Sequence, residues 1–240
     1  MSNLKSNLKS LEEQFARRLS LKRRPVAVIL LQEEPPQIKK FAGTEPSGCS
    51  FWRLASEGKT FYTVPSDHYN CPVGSYTHNI DLPAERAQEL NGVLGMMFGA
   101  GYIKPEEIPG IPRLPQTPEA IAYAPLGDSP LEPNVVLFAC RASAAMLLNE
   151  AAQRAGANAQ VPTLGRPTCM AIPVAVTKGA TAELGCIGNR TYTGIGDDEM
   201  YVAIPGPKLE AVSEALDTIL SANAVVGEYA KGRREQLATE

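Results

Sequence analysis

A chain of 240 residues with 44% hydrophobic and 20% charged side chains is long and apolar enough to bury a sizeable core, and disorder is not its default. Its net charge of −3 argues against a general binder of nucleic acid or anionic membranes. No apolar run approaches the roughly 20 residues of a spanning helix, and Met1 to Ser20 lacks a signal-peptide stretch, so a cytoplasmic protein with reduced thiols is expected.

Leu4, Leu8, Leu11, Phe15 and Leu19 recur at three- and four-residue spacing, which predicts an amphipathic N-terminal helix. Arg17, Arg18, Lys22, Arg23 and Arg24 then read as a solvated helix end rather than a ligand site. The apolar run from Pro25 to Leu31 predicts a buried strand. A helix is expected to begin at Ser47 to Cys49, carry Phe51, Trp52 and Leu54, and end by Gly58. Val64 to Asn79 has the Pro/Gly/Asn texture of an ordered loop, and Ala84 to Phe98 returns to helical spacing. Prolines 105, 109, 112, 115 and 118 make residues 104–132 a connector holding one strand, Ile121 to Leu126. Val135 to Ala139 reads as a strand, Ala142 to Ala155 as a helix, and Gly165 to Asp198 as a second loop region. Met200 to Ile204 closes as a strand and Lys208 to Leu220 as a helix, with a frayed tail from Lys231.

The two ends of the chain echo each other in order. Pro25-Val-Ala-Val-Ile-Leu matches Pro133-Asn-Val-Val-Leu-Phe, and Ser47-Gly-Cys49 matches Pro167-Thr-Cys169. Cys71-Pro-Val-Gly-Ser-Tyr-Thr77 matches Cys186-Ile-Gly-Asn-Arg-Thr-Tyr-Thr193, and Leu82-Pro83 matches Ile204-Pro205. The expectation is an α/β protein of one domain, 1–240, made of two pseudo-symmetry-related halves, 25–100 and 133–222.

Equivalent residues of a duplicated fold meet near its two-fold axis, which would bring Cys49, Cys71, Cys169 and Cys186 together. Four thiolates suit an iron–sulfur cluster, with the 4Fe–4S form favoured, or a tetrahedral zinc. No tight Cys-x-x-Cys knuckle is present, which tilts the reading towards the cluster. Cys140 has no counterpart and reads as core. A different chemistry is a cysteine nucleophile, Cys71, with His68 or His78 as base. A third is a metal-free ligand-binding module with cysteines packed as small hydrophobes. Arg166, Arg190 and Arg53 lie within four residues of the cysteine motifs, where guanidinium groups suit a small anionic ligand or simply pair with Asp197, Asp198 or Glu199. Asn189, His68 and Trp52 complete the candidate cofactor contacts, Trp52 with core as its plainer role. A homo-oligomer is compatible with each of these chemistries.

The motifs Pro46-Ser-Gly-Cys-Ser-Phe-Trp52, His68-Tyr-Asn-Cys-Pro-Val-Gly-Ser-Tyr-Thr-His-Asn79, Arg166-Pro-Thr-Cys169 and Gly185-Cys-Ile-Gly-Asn-Arg190 closely resemble a family of bacterial and archaeal proteins, domain of unknown function 169. The likeness covers nearly the whole chain. It implies a cytoplasmic, single-module protein and brings no activity with it, so the cluster reading rests on the residues themselves.

Overall fold

A computed structural model describes residues 2–157 and 166–238, so Gly165 of the second loop region lies outside the described residues. Six apolar segments form one antiparallel sheet: β1 (Val26–Leu31), β2 (Phe61–Thr63), β3 (Ala120–Pro125), β4 (Val135–Arg141), β5 (Thr181–Glu183) and β6 (Glu199–Pro205). Their order is β2-β3-β1-β4-β6-β5, so β1 and β4 meet at the centre. Both faces of the sheet are covered, which is why the central strands read as unbroken apolar runs rather than alternating ones.

Alternation along each strand sorts the side chains into two cores. Ala27, Ile29, Val136, Phe138, Cys140 and Ile204 face a layer made by α1 (Ser2–Leu19), α5 (Ala142–Arg154) and α8 (Leu209–Ala238). Phe15 of α1 meets Phe138 edge-on at 5.0 Å with no exposure to solvent, a site where truncation to alanine typically costs about 3–5 kcal/mol. The basic run at the end of α1 is tied down: Arg18 pairs with Asp217, and Arg24 with Glu12 and Asp128. Arg23 donates to Gly194 O at 2.6 Å.

Val28, Tyr123, Leu137, Tyr201 and Ala203 face the other layer, led by α2 (Gly48–Ser56) and α6 (Ala171–Thr177). Two short helices complete it, α3 (Pro72–Thr77) and α7 (Ile187–Thr193). α2 packs on α7 and α3, while α3 touches the 3-10 turn Thr168–Met170 that leads into α6. α4 (Ala84–Gly99) lies against α3 and buries no residue fully.

The expected loop regions are more ordered than their texture suggests. Residues 64–79 hold a 3-10 turn, Pro65–His68, and α3; residues 166–198 hold α6, β5 and α7. These helices have six or seven residues, too few to display a period, and proline at the first position of α3 starts that helix rather than breaking it. The expected connector strand is β3, paired with β1 along its full length from Val26↔Pro125 to Leu31↔Ala120. α8 also runs on to Ala238, where the sequence suggested fraying from Lys231; beyond Leu216 it buries no residue fully, and Val225 and Tyr229 are more than two-thirds exposed. No helix among the described residues is long and apolar enough to cross a membrane.

Candidate functional site

Each of the four matched cysteines sits at the start of a helix or turn on the α2/α6 face of the sheet. Ser47 caps α2, its Oγ accepting the Cys49 N–H at 3.3 Å and lying 3.6 Å from Cys71 Sγ. Such a cap stabilises a helix by about 1 kcal/mol. Cys71 is the N-cap of α3, its own N–H donated to His68 O at 2.9 Å. A Cβ on Gly74 would stand 2.8 Å from Cys71 Sγ, so only glycine lets that sulfur fold back over the helix start. Cys169 lies in the 3-10 turn before α6, its Sγ 3.9 Å from Val73 O of α3. Cys186 is the N-cap of α7, and its N–H donates to Thr168 Oγ1 at 2.6 Å. Asn189, one turn along α7, lies against the Cys49 thiol. The contacts run between the segments that carry the four cysteines and join those segments in a ring.

Electrostatics within the ring agree with the geometry. Burial pushes the Cys49 thiol up to about 12, and charge on Cys71 or Cys186 would raise it further, while Asn189 and Ser47 ease it. Cys169 is pushed well up by burial, then by charge on Cys49, Cys71 and, least, Cys186; Thr77 opposes this. Cys49 and Cys169 are 5% and 6% exposed, whereas Cys71 and Cys186 are half-buried, so the ring has a closed side and an open side. Cys140 stands apart on the opposite sheet face, raised to about 12 by burial and then by Glu199. All five cysteines are free thiols. Among the described residues, no three His, Cys, Asp or Glu side chains are grouped so that they could hold a metal ion.

Both histidines are buried behind Cys71. Thr63 Oγ1 donates its proton to Ile121 O, so it accepts from His68 Nε2–H at 2.9 Å. His68 Nδ1 is then a bare acceptor facing Gly48, without a hydrogen-bond partner among the described residues. His78 Nδ1–H donates to Gly74 O at 2.8 Å, which leaves its Nε2 bare as well. The rings stack at 5.7 Å. Burial, then the neighbouring His78, lowers the His68 pKa to about 3, and burial also lowers that of His78. Two neutral imidazoles whose donors are turned to Thr63 and Gly74 give Cys71 no charged partner. Trp52 is buried edge-on to Tyr201 at 5.2 Å, and among the described residues neither its indole N–H nor the Tyr123 hydroxyl has a hydrogen-bond partner.

A family described as uncharacterised ArCR, DUF169, matches residues 14–215, which takes in every strand and all four ring cysteines. The chain belongs to the DUF169 family. It is also 26% identical over 230 residues to the uncharacterised protein MJ0308 of Methanocaldococcus jannaschii, an alignment covering 90% of this chain and 95% of that one. No solved structure matches.

The arginines of this DUF169 chain divide. Arg190 sends Nε to Gly185 O at 3.1 Å, Nη1 to Gly196 O at 2.8 Å, and Nη2 to Glu199 O at 3.0 Å and to Leu184 O. It clamps the loops on either side of α7 instead of pairing with the side chains of Asp197, Asp198 or Glu199. Arg53 pairs with Glu57 at 3.1 Å and Glu45 at 3.8 Å. Arg166 stands at the open rim, its guanidinium 4.8 Å from the Tyr102 ring centre and 3.8 Å from Glu107. Sequence reasoning missed Thr77, Thr168 and Tyr123. Thr168 sits beside Cys169 in a motif already singled out, whereas Tyr123 has no local signal and reaches the site only through strand pairing.

Proposed function

We propose that this protein holds an iron–sulfur cluster between its two Cys-rich segments, with Cys49, Cys71, Cys169 and Cys186 as ligands. The observation that carries the reading is that the four segments holding these cysteines are joined in a ring, with the fifth cysteine on the other sheet face. Four soft thiolates suit the irons of a cluster. A single tetrahedral zinc would draw sulfurs to roughly 3.8 Å of each other, from a Zn–S length of about 2.3 Å. Irons and sulfides interposed between the thiolates of a cluster spread them further than a single zinc would. The cluster would supply electron transfer or a Lewis-acidic iron. This chain's own part is to exclude water on the Cys49/Cys169 side and to leave Cys71 and Cys186 approachable. A small anionic ligand at that open side would meet Arg166, not Arg190. Free thiols throughout fit a reducing, cytoplasmic setting.

The reading includes duplication, with the repeat redrawn as residues 26–128 and 135–208. What supports it is the sheet: outward from the centre the order is β1-β3-β2 on one side and β4-β6-β5 on the other. Registers agree too, Val26↔Pro125 with Val135↔Pro205 and Phe61↔Tyr123 with Thr181↔Ala203. The central pairs Val26↔Leu137, Ala27↔Val136 and Val28↔Val135 are self-complementary under a two-fold axis through Ala27 and Val136, as in an isologous contact. Phe61 and Thr181 share the offset of Cys49 and Cys169. Leu82-Pro83 and Ile204-Pro205 do not correspond, since the first pair leads into α4 and the second ends β6. Rotation about that axis should carry the Cα of Cys49 onto that of Cys169; a failure to do so in an experimental structure removes the duplication.

Anaerobic purification with iron and acid-labile sulfide analysis tests the function. About four of each per chain is the expected result. Zinc without sulfide, or no metal after anaerobic reconstitution, contradicts it.

A further inference from the structure

We propose that α8 pairs in parallel with α8 of a second copy of this chain, through a stripe that runs along the helix from Ala211 through Tyr229 to Gln236. This surface lies on other residues than the cysteine site and does not rest on the cluster reading.

The two sides of α8 are used differently. Leu209, Val212, Ser213 and Leu216 are buried in the layer shared with α1 and α5, and Ile219 and Leu220 continue that side partly buried. Asn223 still reaches Glu150 of α5, whereas residues 228–238 are all exposed. About a third of a turn round the helix from the core side, spacings of four and three residues alternate through Ala211, Ala215, Thr218, Ala222, Val225 and Tyr229. That repeat is the seam along which two helices pack side by side. Val225, Val226 and Tyr229 are each more than three-fifths exposed. The small residues of the seam sit where the helix is flanked by its own core and let a second helix approach closely. The large ones sit beyond it.

Area and charge both point to a second copy. From Ala211 to Gln236 the stripe is about 38 Å long, and half the circumference of a helix makes it about 17 Å wide, or about 650 Å² per copy. Two copies would cover about 1,300 Å², inside the range of about 1,200–2,000 Å² that stable interfaces bury. Glu214, Glu228 and Glu235 border the seam on one side, and Arg233 borders it on the other. In a parallel pair, a residue of the first border faces the residue five places on in the other helix's second border. Glu228 therefore meets Arg233 of the second copy, and two-fold symmetry repeats the contact. In an antiparallel pair the first border would face itself, glutamate against glutamate, so charge selects the parallel arrangement.

Sedimentation equilibrium of the full chain at about 1–100 μM tests this, with twice the chain mass as the expected result. Val225→Glu combined with Tyr229→Glu, both at exposed positions, should leave a monomer. Arg233→Glu alone keeps the Glu228–Lys231 contact within the chain but sets glutamate against Glu228 of the other copy. It should raise the dissociation constant about tenfold, and adding Glu228→Arg should bring it back to within about threefold of wild type. A wild-type monomer throughout that range overturns the proposal, whichever other partner the stripe then takes. A dimer that survives Val225→Glu with Tyr229→Glu also overturns it, by placing the contact elsewhere. A double reversal no tighter than Arg233→Glu alone overturns the parallel pairing.

Discussion

Arg190→Lys separates a structural arginine from a ligand-binding one. In the fold the guanidinium reaches four main-chain carbonyls, at Leu184, Gly185, Gly196 and Glu199, and so joins the loop before Cys186 to the start of β6. A lysine keeps the charge but has no planar fork, and its single ammonium can satisfy one or two of those oxygens. A hydrogen bond from a charged group contributes about 1.5–3 kcal/mol, so losing two at a partly buried site should cost about 3–6 kcal/mol. Against a total stability of about 5–15 kcal/mol that is a large fraction. Urea unfolding of the metal-free protein, followed by the fluorescence of Trp52, the single tryptophan, reads the change as a lower midpoint at unchanged slope. A loss below about 1 kcal/mol would refute the clamp. Unchanged stability with anion-induced stabilisation abolished would return Arg190 to a binding role.

Gly74→Ala places a Cβ 2.8 Å from Cys71 Sγ; displacing that sulfur should cost about 1–3 kcal/mol and reduce iron per chain several-fold, whereas full loading would contradict the placement of Cys71. His68 binds a proton near pH 3 in the fold and near 6.5 in the unfolded chain, so the unfolded state holds more protons between those values. Stability is therefore present above pH 6.5 and lost as pH falls towards 3, by at most roughly 5 kcal/mol, and His68→Gln should flatten that limb of a stability–pH curve. Cys140→Ala should leave iron and sulfide content unchanged while Cys169→Ala abolishes it; equal losses from both would break the distinction between ring and core.

The long elements were legible in the sequence because their physics is local. The spacing of Leu8, Leu11, Phe15 and Leu19 marks α1, and the apolar runs at Val26 and Val135 mark the two central strands. The three-residue strand β2 and the helices α3, α6 and α7 were not, because so few residues carry no period and because Pro72, Gly74 and Pro173 resemble loop residues. In the site, the internal echo singled out the four ring cysteines, and the missing echo of Cys140 set it aside. Arg190 looked like an anion ligand because its neighbours in sequence are glycines and a cysteine; its real partners are carbonyls up to nine residues away. Tyr123 was invisible for a different reason. A strand residue with no polar neighbours in sequence becomes part of the site only when β3 pairs with β1 and β2 beneath α2.

Iron-edge anomalous diffraction from crystals of anaerobically reconstituted protein tests the central claim most directly. The expected result is one compact group of anomalous peaks with Cys49, Cys71, Cys169 and Cys186 Sγ each bonded to an iron, and none near Cys140. Iron bound elsewhere, or any one of the four sulfurs turned away from the peaks, would contradict the four-cysteine centre.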